Sequence, residues 1–296
     1  MIFGYSFIDI LINLVLALIM LGIGLSLILA DFKNIFAFPR SLITALGVQL
    51  FLVPIIAFAI ASVSGLSGSE KVGIVIVSLC ASGASSNLIT HLFKGNVALA
   101  ISMTTINSFI TLISIPFLAN LALYVFMDVG QQVWLPVPET ILQIFVITII
   151  PAGIGVFIRM KKETWATRAE KPLKYILPLL LLAVFTLKIF LGKTSGGTGI
   201  TLHETLQIIP FMLLLNFFAM LVGFLVARLI KLSFADQFTI SIEVGLHNTA
   251  LALLIAGTIL KNPEMEKPAV VYAMFSFFTV VLFVYIIKLA FRKKTS

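Results

Sequence analysis

The sequence predicts an all-α membrane protein that crosses the bilayer nine times. Hydrophobic residues make up 60% of the 296-residue chain and charged residues only 11%, and the mean hydropathy is +1.16. A soluble domain of this size has no interior large enough for that apolar content. The apolar residues form nine runs, each near the ~20 residues that a helix needs to span a bilayer. Positively charged residues gather in alternate loops between these runs.

In chain order the runs cover about residues 8–30, 41–62, 72–92, 96–127, 140–158, 175–192, 205–229, 237–260 and 269–291. The fourth run is longer than a bilayer requires and contains Pro116, which predicts a kink or a split. Other runs contain Pro54, Pro151, Pro178 and Pro210, which membrane helices tolerate because neighbouring groups satisfy the freed backbone. No basic region precedes the first run, so we expect a span there and no cleavable signal peptide.

The distribution of lysine and arginine predicts the orientation. The odd-numbered loops and the C-terminus hold Lys33, Arg40, Lys94, Arg159, Lys161, Lys162, Arg168, Lys171, Lys174, Arg228, Lys231, Lys288, Arg292, Lys293 and Lys294. The other loops hold only Lys71, Lys193, Lys261 and Lys267. By the positive-inside rule the N-terminus lies on the outer side of the cell (inner) membrane, and the C-terminus lies in the cytoplasm. The net charge of +8 then faces the anionic inner leaflet, so we expect a lipid partner and no nucleic acid. Lys188, near the outer end of its run, is expected to snorkel.

Glu243 lies in the middle of the eighth run. It is the only one of the twelve acidic residues near the centre of such a run. A carboxylate at bilayer depth costs at least about 2.5 kcal/mol, so a cation, a proton or a hydrogen-bond network must stabilise it. Gly245 and Asn248 are poor helix formers. We therefore predict a helix broken at mid-membrane, with its backbone groups and the carboxylate facing a cavity.

A second polar break, residues 81–87 (ASGASSN), interrupts the third run. Small residues at this place are also typical of helix–helix packing, but Asn87 is larger and more polar than packing needs. If the chain divides at the basic loop 159–174, each break lies in the second-to-last span of its half. Four spans then precede the loop and five follow it, with corresponding spans running in opposite directions. This arrangement suggests an inverted repeat with one span missing.

Several motifs resemble the bile acid:sodium symporter family, in particular its bacterial members. They are residues 85–99 (SSNLITHLFKGNVAL) followed by Thr104, residues 242–248 (IEVGLHN), residues 20–27 (MLGIGLSL) and Gln49. Members of this family have ten spans, or nine when the first is absent. The chain is similar to a member that begins at the second span, which agrees with the nine runs and an external N-terminus.

The resemblance implies two groups of helices. A panel would contain the runs at about 8–30, 140–158 and 175–192. A core would contain those at about 41–62, 72–92, 96–127, 205–229, 237–260 and 269–291. The broken spans would cross inside the core, where helix N-termini favour an anion and C-terminal carbonyls favour a cation. Substrate would bind between panel and core, and rocking of the two groups would alternate access. We expect a monomer.

The resemblance also implies two Na⁺ sites and a substrate site. The first Na⁺ site would be formed by Ser86, Asn87, Thr104 and Glu243. The second would be formed by Gln49, Glu243, the carbonyls of Val244 and Leu246, and His247. The substrate would meet Ser82, Gly83, Ala84, Asn248 and Thr279. Oxygen ligands of these kinds suit a hard cation.

Three positions depart from the family's pattern. Ala100 stands where the family usually has a serine ligand of the first site, and His247 where it has a glutamine ligand of the second. Thr279 stands where some bacterial members use a histidine for substrate. Imidazole is a poor ligand for a hard cation. His247 lies four residues from Glu243, on the same face of a continuing helix, so a proton at this pair is the alternative to a second sodium ion.

These features predict a secondary active transporter that moves an organic anion, bile acid-like or a small carboxylate, together with sodium and without an organic cofactor. The alternatives are a proton-coupled or sodium-independent anion transporter using Glu243 and His247, and, more distantly, an intramembrane enzyme or sensor. An enzyme needs a nucleophile–base pair or a metal site. No H-E-x-x-H, C-x-x-C or G-x-S-x-G motif occurs, so we expect no enzymatic activity.

Overall fold

The computed structural model describes residues 7–27, 38–127 and 134–292. The loop charges Lys33, Lys293 and Lys294 and the end of the first run, residues 28–30, lie outside these ranges. The structure is all-helical: 86% is helix and the described residues contain no strand. The helices are α1 (Phe7–Ser26), α2 (Pro39–Val63), α3 (Gly68–Leu79), α4 (Ala84–Leu92), α5 (Val97–Phe126), α6 (Val137–Lys161), α7 (Glu163–Phe190), α8 (Leu202–Leu229), α9 (Phe234–Gly245), α10 (Thr249–Leu253, continued by Leu254–Ile259) and α11 (Pro263–Arg292).

Six candidate membrane spans occur among the described residues. They are α2, α5, α6, α8, α11 and the segment Phe234–Ile259, which contains α9 and α10. A seventh is obtained if α7, bent by 42° between Glu163–Leu173 and Tyr175–Phe190, counts as one span. The first predicted span has a shorter apolar helix, Ile10–Ser26, and the third is divided into α3 and α4. The prediction of a polytopic helical membrane protein is confirmed, whereas the count of nine spans stays a prediction.

Proline and capping residues explain where several helices bend or begin. The π-helical turns Val48–Leu52 in α2 and Phe145–Ile149 in α6 precede Pro54 and Pro151, each of which removes one backbone donor. In contrast, α5 continues through Pro116 as one helix, so of the kink or split expected there, the split is absent. At the N-terminus of α3, the Glu70 carboxylate accepts a hydrogen bond from the Ser67 N–H over 2.9 Å. The Ser67 hydroxyl accepts one from the Glu70 N–H over 3.3 Å, which forms a capping box.

Helix α1 packs against α6 and α7, and the division of the helices into panel and core stays a prediction. A Cβ at Gly24 would lie 2.0 Å from the Ala152 carbonyl oxygen, and one at Gly155 would lie 2.4 Å from the Leu21 carbonyl oxygen. Glycine is therefore needed where these backbones approach each other. Elsewhere α8 packs against α9 and α11, and α3 packs against α2, α5 and α11.

The segment Phe234–Ile259 lies at the centre of the protein. Of its apolar stretch, 94% is buried inside the protein, against 17–44% for the other candidate spans. A polar side chain on this segment therefore faces other helices and not lipid. Broken backbone at membrane depth requires this environment, because lipid cannot satisfy free N–H and C=O groups.

Two lysines near one end of the bundle are buried in ion pairs. The Lys188 ammonium lies 2.7 Å and 3.0 Å from the two carboxylate oxygens of Glu266, and Lys267 contacts Glu204 and Glu264. Lys188 is 2% exposed. The expectation that this side chain snorkels to the surface is therefore wrong, because an oppositely charged partner lies on α11, next to α7.

Candidate functional site

The two breaks lie at the predicted places and contact each other. Residues 80–83 separate α3 from α4, and residues 246–248 separate α9 from α10. The backbone N–H of Asn248 donates to the carbonyl of Ala81 over 2.9 Å. Nδ1 of His247 lies 3.2 Å from the carbonyl oxygen of Cys80. Each break therefore satisfies polar backbone groups of the other, which a single broken helix could not do.

Local residue types explain how the helices restart. The side-chain oxygen of Asn248 accepts a hydrogen bond from the Leu251 N–H over 3.1 Å, which caps α10. Gly83 is extended, with φ −121° and ψ −171°, directly before α4 begins at Ala84. The Ser86 hydroxyl donates to the Gly83 carbonyl over 2.7 Å. Thus Gly83, Ser86 and Asn248, which the sequence assigned to ligand binding, also define the ends of the breaks.

Glu243 lies one turn from the end of α9 and is 1% exposed. Its Oε2 accepts hydrogen bonds from the hydroxyl of Ser82 and from that of Thr104 over 3.0 Å. The two hydroxyl oxygens lie 3.2 Å apart. Oε1 is buried without a hydrogen-bond partner in the described part of the chain. A buried carboxylate in this state is costly unless a cation or a proton stabilises it.

Three further polar side chains direct an unpaired atom into the protein. Gln49, 2% exposed, donates through Nε2 to the Ser78 carbonyl over 3.2 Å. Its Oε1, like Oδ1 of Asn87, is buried without a partner among the residues described. Because the Cys80 carbonyl can only accept, Nδ1 of His247 carries the proton, and Nε2 is left buried and unpaired. Ser78 and Cys80 both lie at the end of α3, so this helix end orients Gln49 and His247 together.

The donor set fits a hard cation. Beside Nε2 of His247, the unpaired atoms described above are one carboxylate oxygen and two amide oxygens, and these three are ligand types that alkali and alkaline-earth ions prefer. No group of three or more His, Cys, Asp or Glu residues that could hold a transition metal occurs in the described ranges. Val244 and Leu246, next in the chain to Glu243 and His247, are buried at the end of α9.

Two residues assigned to substrate by the sequence have other contacts in the structure. Ser82 donates to Glu243 and thereby joins the predicted cation ligands. The Thr279 hydroxyl donates to Oδ1 of Asn216 over 2.7 Å. Asn216 and Tyr272, which the sequence analysis does not name, also contact the end of α9: both donate to the Gly245 carbonyl over 2.8 Å. The sequence does contain an indication for Asn216, because it is a polar residue in the middle of the seventh apolar run.

An all-helical membrane protein in which two broken helices bury a carboxylate between them has the architecture of a secondary transporter. The chain matches the model of the Sodium Bile acid symporter family over residues 13–196. This match covers more than half of the chain, and the protein belongs to that family.

Three relatives show how far the similarity extends. The chain is 29% identical over 272 residues to the "Uncharacterized sodium-dependent transporter YocS" of Bacillus subtilis, which covers 91% of this chain and 80% of that protein. It is 27% identical over 259 residues to the "Probable sodium/metabolite cotransporter BASS1, chloroplastic" of Arabidopsis thaliana, covering 86% and 61%. It is 29% identical over 260 residues to the hepatic sodium/bile acid cotransporter of Rattus norvegicus, covering 88% and 70%. These relatives are transporters, so the prediction of a transporter and not an enzyme is confirmed.

Proposed function

We propose that this protein is a secondary active transporter that moves an organic anion together with sodium. The observation that carries the proposal is the Glu243 carboxylate, buried at the crossing with one oxygen unpaired in the described structure. A sodium ion offsets the cost of burying this charge, and it couples ion binding to the geometry of both breaks. The relatives named as sodium-dependent transporters and cotransporters support sodium as the coupling ion.

The proposed ligands fall into two sites that share Glu243. The first comprises Ser86, Asn87, Thr104 and Glu243, with Ser82 added because its hydroxyl donates to the same carboxylate. The second comprises Gln49, Glu243, His247 and the carbonyls of Val244 and Leu246. The unpaired oxygens of Gln49 and Asn87 support one amide ligand in each site.

The proposed transport cycle uses the two helix groups as moving parts. The panel comprises α1, α6 and α7, and the core comprises the remaining helices. The same proposal includes nine spans, an inverted repeat, an external N-terminus and a location in the cell (inner) membrane. The anion binds between the groups, near the N-terminal ends of α4 and α10 at residues 82–84 and Asn248, where free N–H groups favour negative charge. The contact between the Thr258 hydroxyl and the Asn13 side-chain oxygen, 3.2 Å apart, lies between the groups and would change as they rock.

Proton coupling is the second candidate, and the unpaired Nε2 of His247 favours it. With Nδ1 occupied by the Cys80 carbonyl, Nε2 is the position at which this ring gains or loses a proton. An imidazole is a poor ligand for sodium but a good proton acceptor near neutral pH. In this version one sodium ion binds at the first site and a proton takes the place of the second ion.

Uptake into proteoliposomes tests the proposal. The purified protein is reconstituted and offered labelled taurocholate, pyruvate and a set of other small carboxylates. An inward sodium gradient is compared with equal choline. We expect at least one anion to accumulate above its equilibrium level only with the sodium gradient. If none of the anions shows sodium-dependent accumulation, but one accumulates with a proton gradient, the proton-coupled version replaces the sodium-coupled one. Chemical conversion of an anion without any gradient dependence would overturn both.

A further inference from the structure

The carbonyl oxygen of Gly245, at the end of α9, is held by two side chains from neighbouring helices. Nδ2 of Asn216 on α8 donates to it over 2.8 Å, and the hydroxyl of Tyr272 on α11 donates to it over 2.8 Å. Nδ2 of Asn216 also donates to the Tyr272 hydroxyl oxygen over 2.9 Å. The Thr279 hydroxyl donates to Oδ1 of Asn216 over 2.7 Å. Both amide protons of Asn216, its oxygen and the phenolic proton are therefore used within this one group.

This group is buried and closely packed. Asn216 is 1% exposed and Tyr272 is fully buried. A Cβ at Gly245 would lie 2.4 Å from Cγ of Met220 on α8 and 3.2 Å from Cγ2 of Val280 on α11. Only glycine therefore lets the end of α9 approach both helices closely enough for its carbonyl to meet the two donors.

The fixed carbonyl controls the backbone that follows it. Its two lone pairs are occupied, so the Gly245 carbonyl cannot serve as a cation ligand. Because the peptide unit is planar, holding this oxygen also fixes the orientation of the plane that joins Gly245 to Leu246. Leu246 is extended, with φ −115° and ψ 93°, and leads directly to His247. The His247 ring packs against the Tyr272 ring with centroids 5.4 Å apart, so Tyr272 holds both ends of this short segment.

We propose that Asn216, Tyr272 and Thr279 form a backbone clamp that positions the broken end of α9 for cation binding. The three are positioning residues: they act through the Gly245 carbonyl and the His247 ring. The clamp withholds the Gly245 carbonyl from the ion while fixing the backbone on either side, which carries the Val244 and Leu246 carbonyls. This inference rests on the proposed sodium-coupled function, and it assigns Thr279 to the clamp in place of the substrate.

Sodium binding measured without any organic substrate tests the clamp. The melting temperature of the purified protein is followed while sodium chloride replaces choline chloride at constant ionic strength. The half-saturating sodium concentration, equal to Kd, is obtained by fitting the stabilisation to RT ln(1 + [Na⁺]/Kd). Tyr272→Phe removes only the phenolic hydroxyl and keeps the ring against His247. We expect its half-saturating sodium concentration to rise about fivefold, equivalent to the ~1 kcal/mol of one hydrogen bond. Thr279→Val, which leaves Oδ1 of Asn216 without its donor, should also raise the half-saturating sodium concentration. Thr279→Ser, which keeps the hydroxyl, should show the wild-type value.

Ser241→Ala is the matched control. The Ser241 hydroxyl is buried and also joins α9 to α8, donating to the Met220 carbonyl over 2.8 Å, but it lies in the regular part of α9. We expect its half-saturating sodium concentration to equal that of the wild type. An equal rise in this control would overturn the clamp by showing that any lost contact between α8 and α9 has the same effect.

The remaining outcomes separate the clamp from the function on which it rests. If sodium does not raise the melting temperature of the wild type, the proposed function fails first. If sodium stabilises the wild type while Tyr272→Phe and Thr279→Val keep the wild-type half-saturating sodium concentration, the proposed function stands and the clamp is wrong. Should Tyr272→Phe not fold, the difference between Thr279→Val and Thr279→Ser decides the matter alone.

Discussion

Replacing Glu243 with glutamine should leave the sodium-free protein at least as stable as the wild type and should reduce the stability that sodium adds. The carboxylate is buried, and its Oε1 has no partner among the described residues, so in sodium-free solution it is a cost to the folded protein. Glutamine is nearly isosteric and retains an oxygen to accept from Ser82 and Thr104. We therefore expect the Glu243→Gln variant to fold, and to melt at the same temperature as the wild type or higher when sodium is absent.

The size of the sodium effect follows from the lost charge. Two unit charges about 4 Å apart attract by about 4 kcal/mol at an effective dielectric constant of 20. A neutral amide oxygen still binds the ion, so we assign half of this, about 2 kcal/mol, to the substitution, which raises Kd about 30-fold. At a sodium concentration of one hundred times the wild-type Kd, binding stabilises the wild type by about 2.7 kcal/mol and the variant by about 0.9 kcal/mol.

Melting curves at increasing sodium concentration check this expectation. In choline the variant should melt at the same temperature as the wild type or higher. At high sodium the wild type should melt at the higher temperature. Glu139→Gln is the matched control, because Glu139 is an exposed carboxylate in the first turn of α6, and its sodium response should equal that of the wild type. If the Glu243→Gln variant gains as much stability from sodium as the wild type at every concentration, Glu243 is not a cation ligand.

Two further substitutions probe the ion pair near one end of the bundle and the histidine of the second break. Glu266→Gln removes the carboxylate charge that lies 2.7 Å from the buried Lys188 ammonium and should destabilise the protein by about 3 kcal/mol. The double variant with Lys188→Met should recover part of this loss, and equal melting temperatures for wild type and single variant would contradict the reasoning. His247→Gln should strengthen the sodium dependence of uptake and shift its pH optimum if a proton binds at that ring. An unchanged pH profile, measured in the same proteoliposomes, would remove His247 from coupling.

Some features of the site are local in the chain and could be predicted from it. The apolar runs predict membrane helices because transfer of a side chain into lipid depends mainly on its own type. Gly245 and Asn248 weaken the helix around them whatever their neighbours, and the structure breaks that helix at residues 246–248. A carboxylate in the middle of an apolar run must be stabilised inside the protein, and this requirement singles out Glu243 from the sequence alone.

The contacts of these residues could be found only in the tertiary structure. The two hydroxyls that donate to Glu243 are 161 and 139 residues away in sequence. The family resemblance groups Thr104 with Glu243 but assigns Ser82 to the substrate. The prediction for Lys188 was wrong for the same reason, since Glu266 follows it by 78 residues.

Hydropathy and helix propensity are properties of a residue and its immediate neighbours. The features that depend on them follow from the sequence alone: this is a helical membrane protein with two interrupted helices and one central carboxylate. Hydrogen-bond partners across a bundle depend on how each helix is rotated about its axis and on its depth relative to the next. Packing of many side chains sets both quantities together. For that reason only the tertiary structure decided that Ser82 joins Thr104 at the carboxylate, and that Asn216 and Tyr272 hold the end of the broken helix.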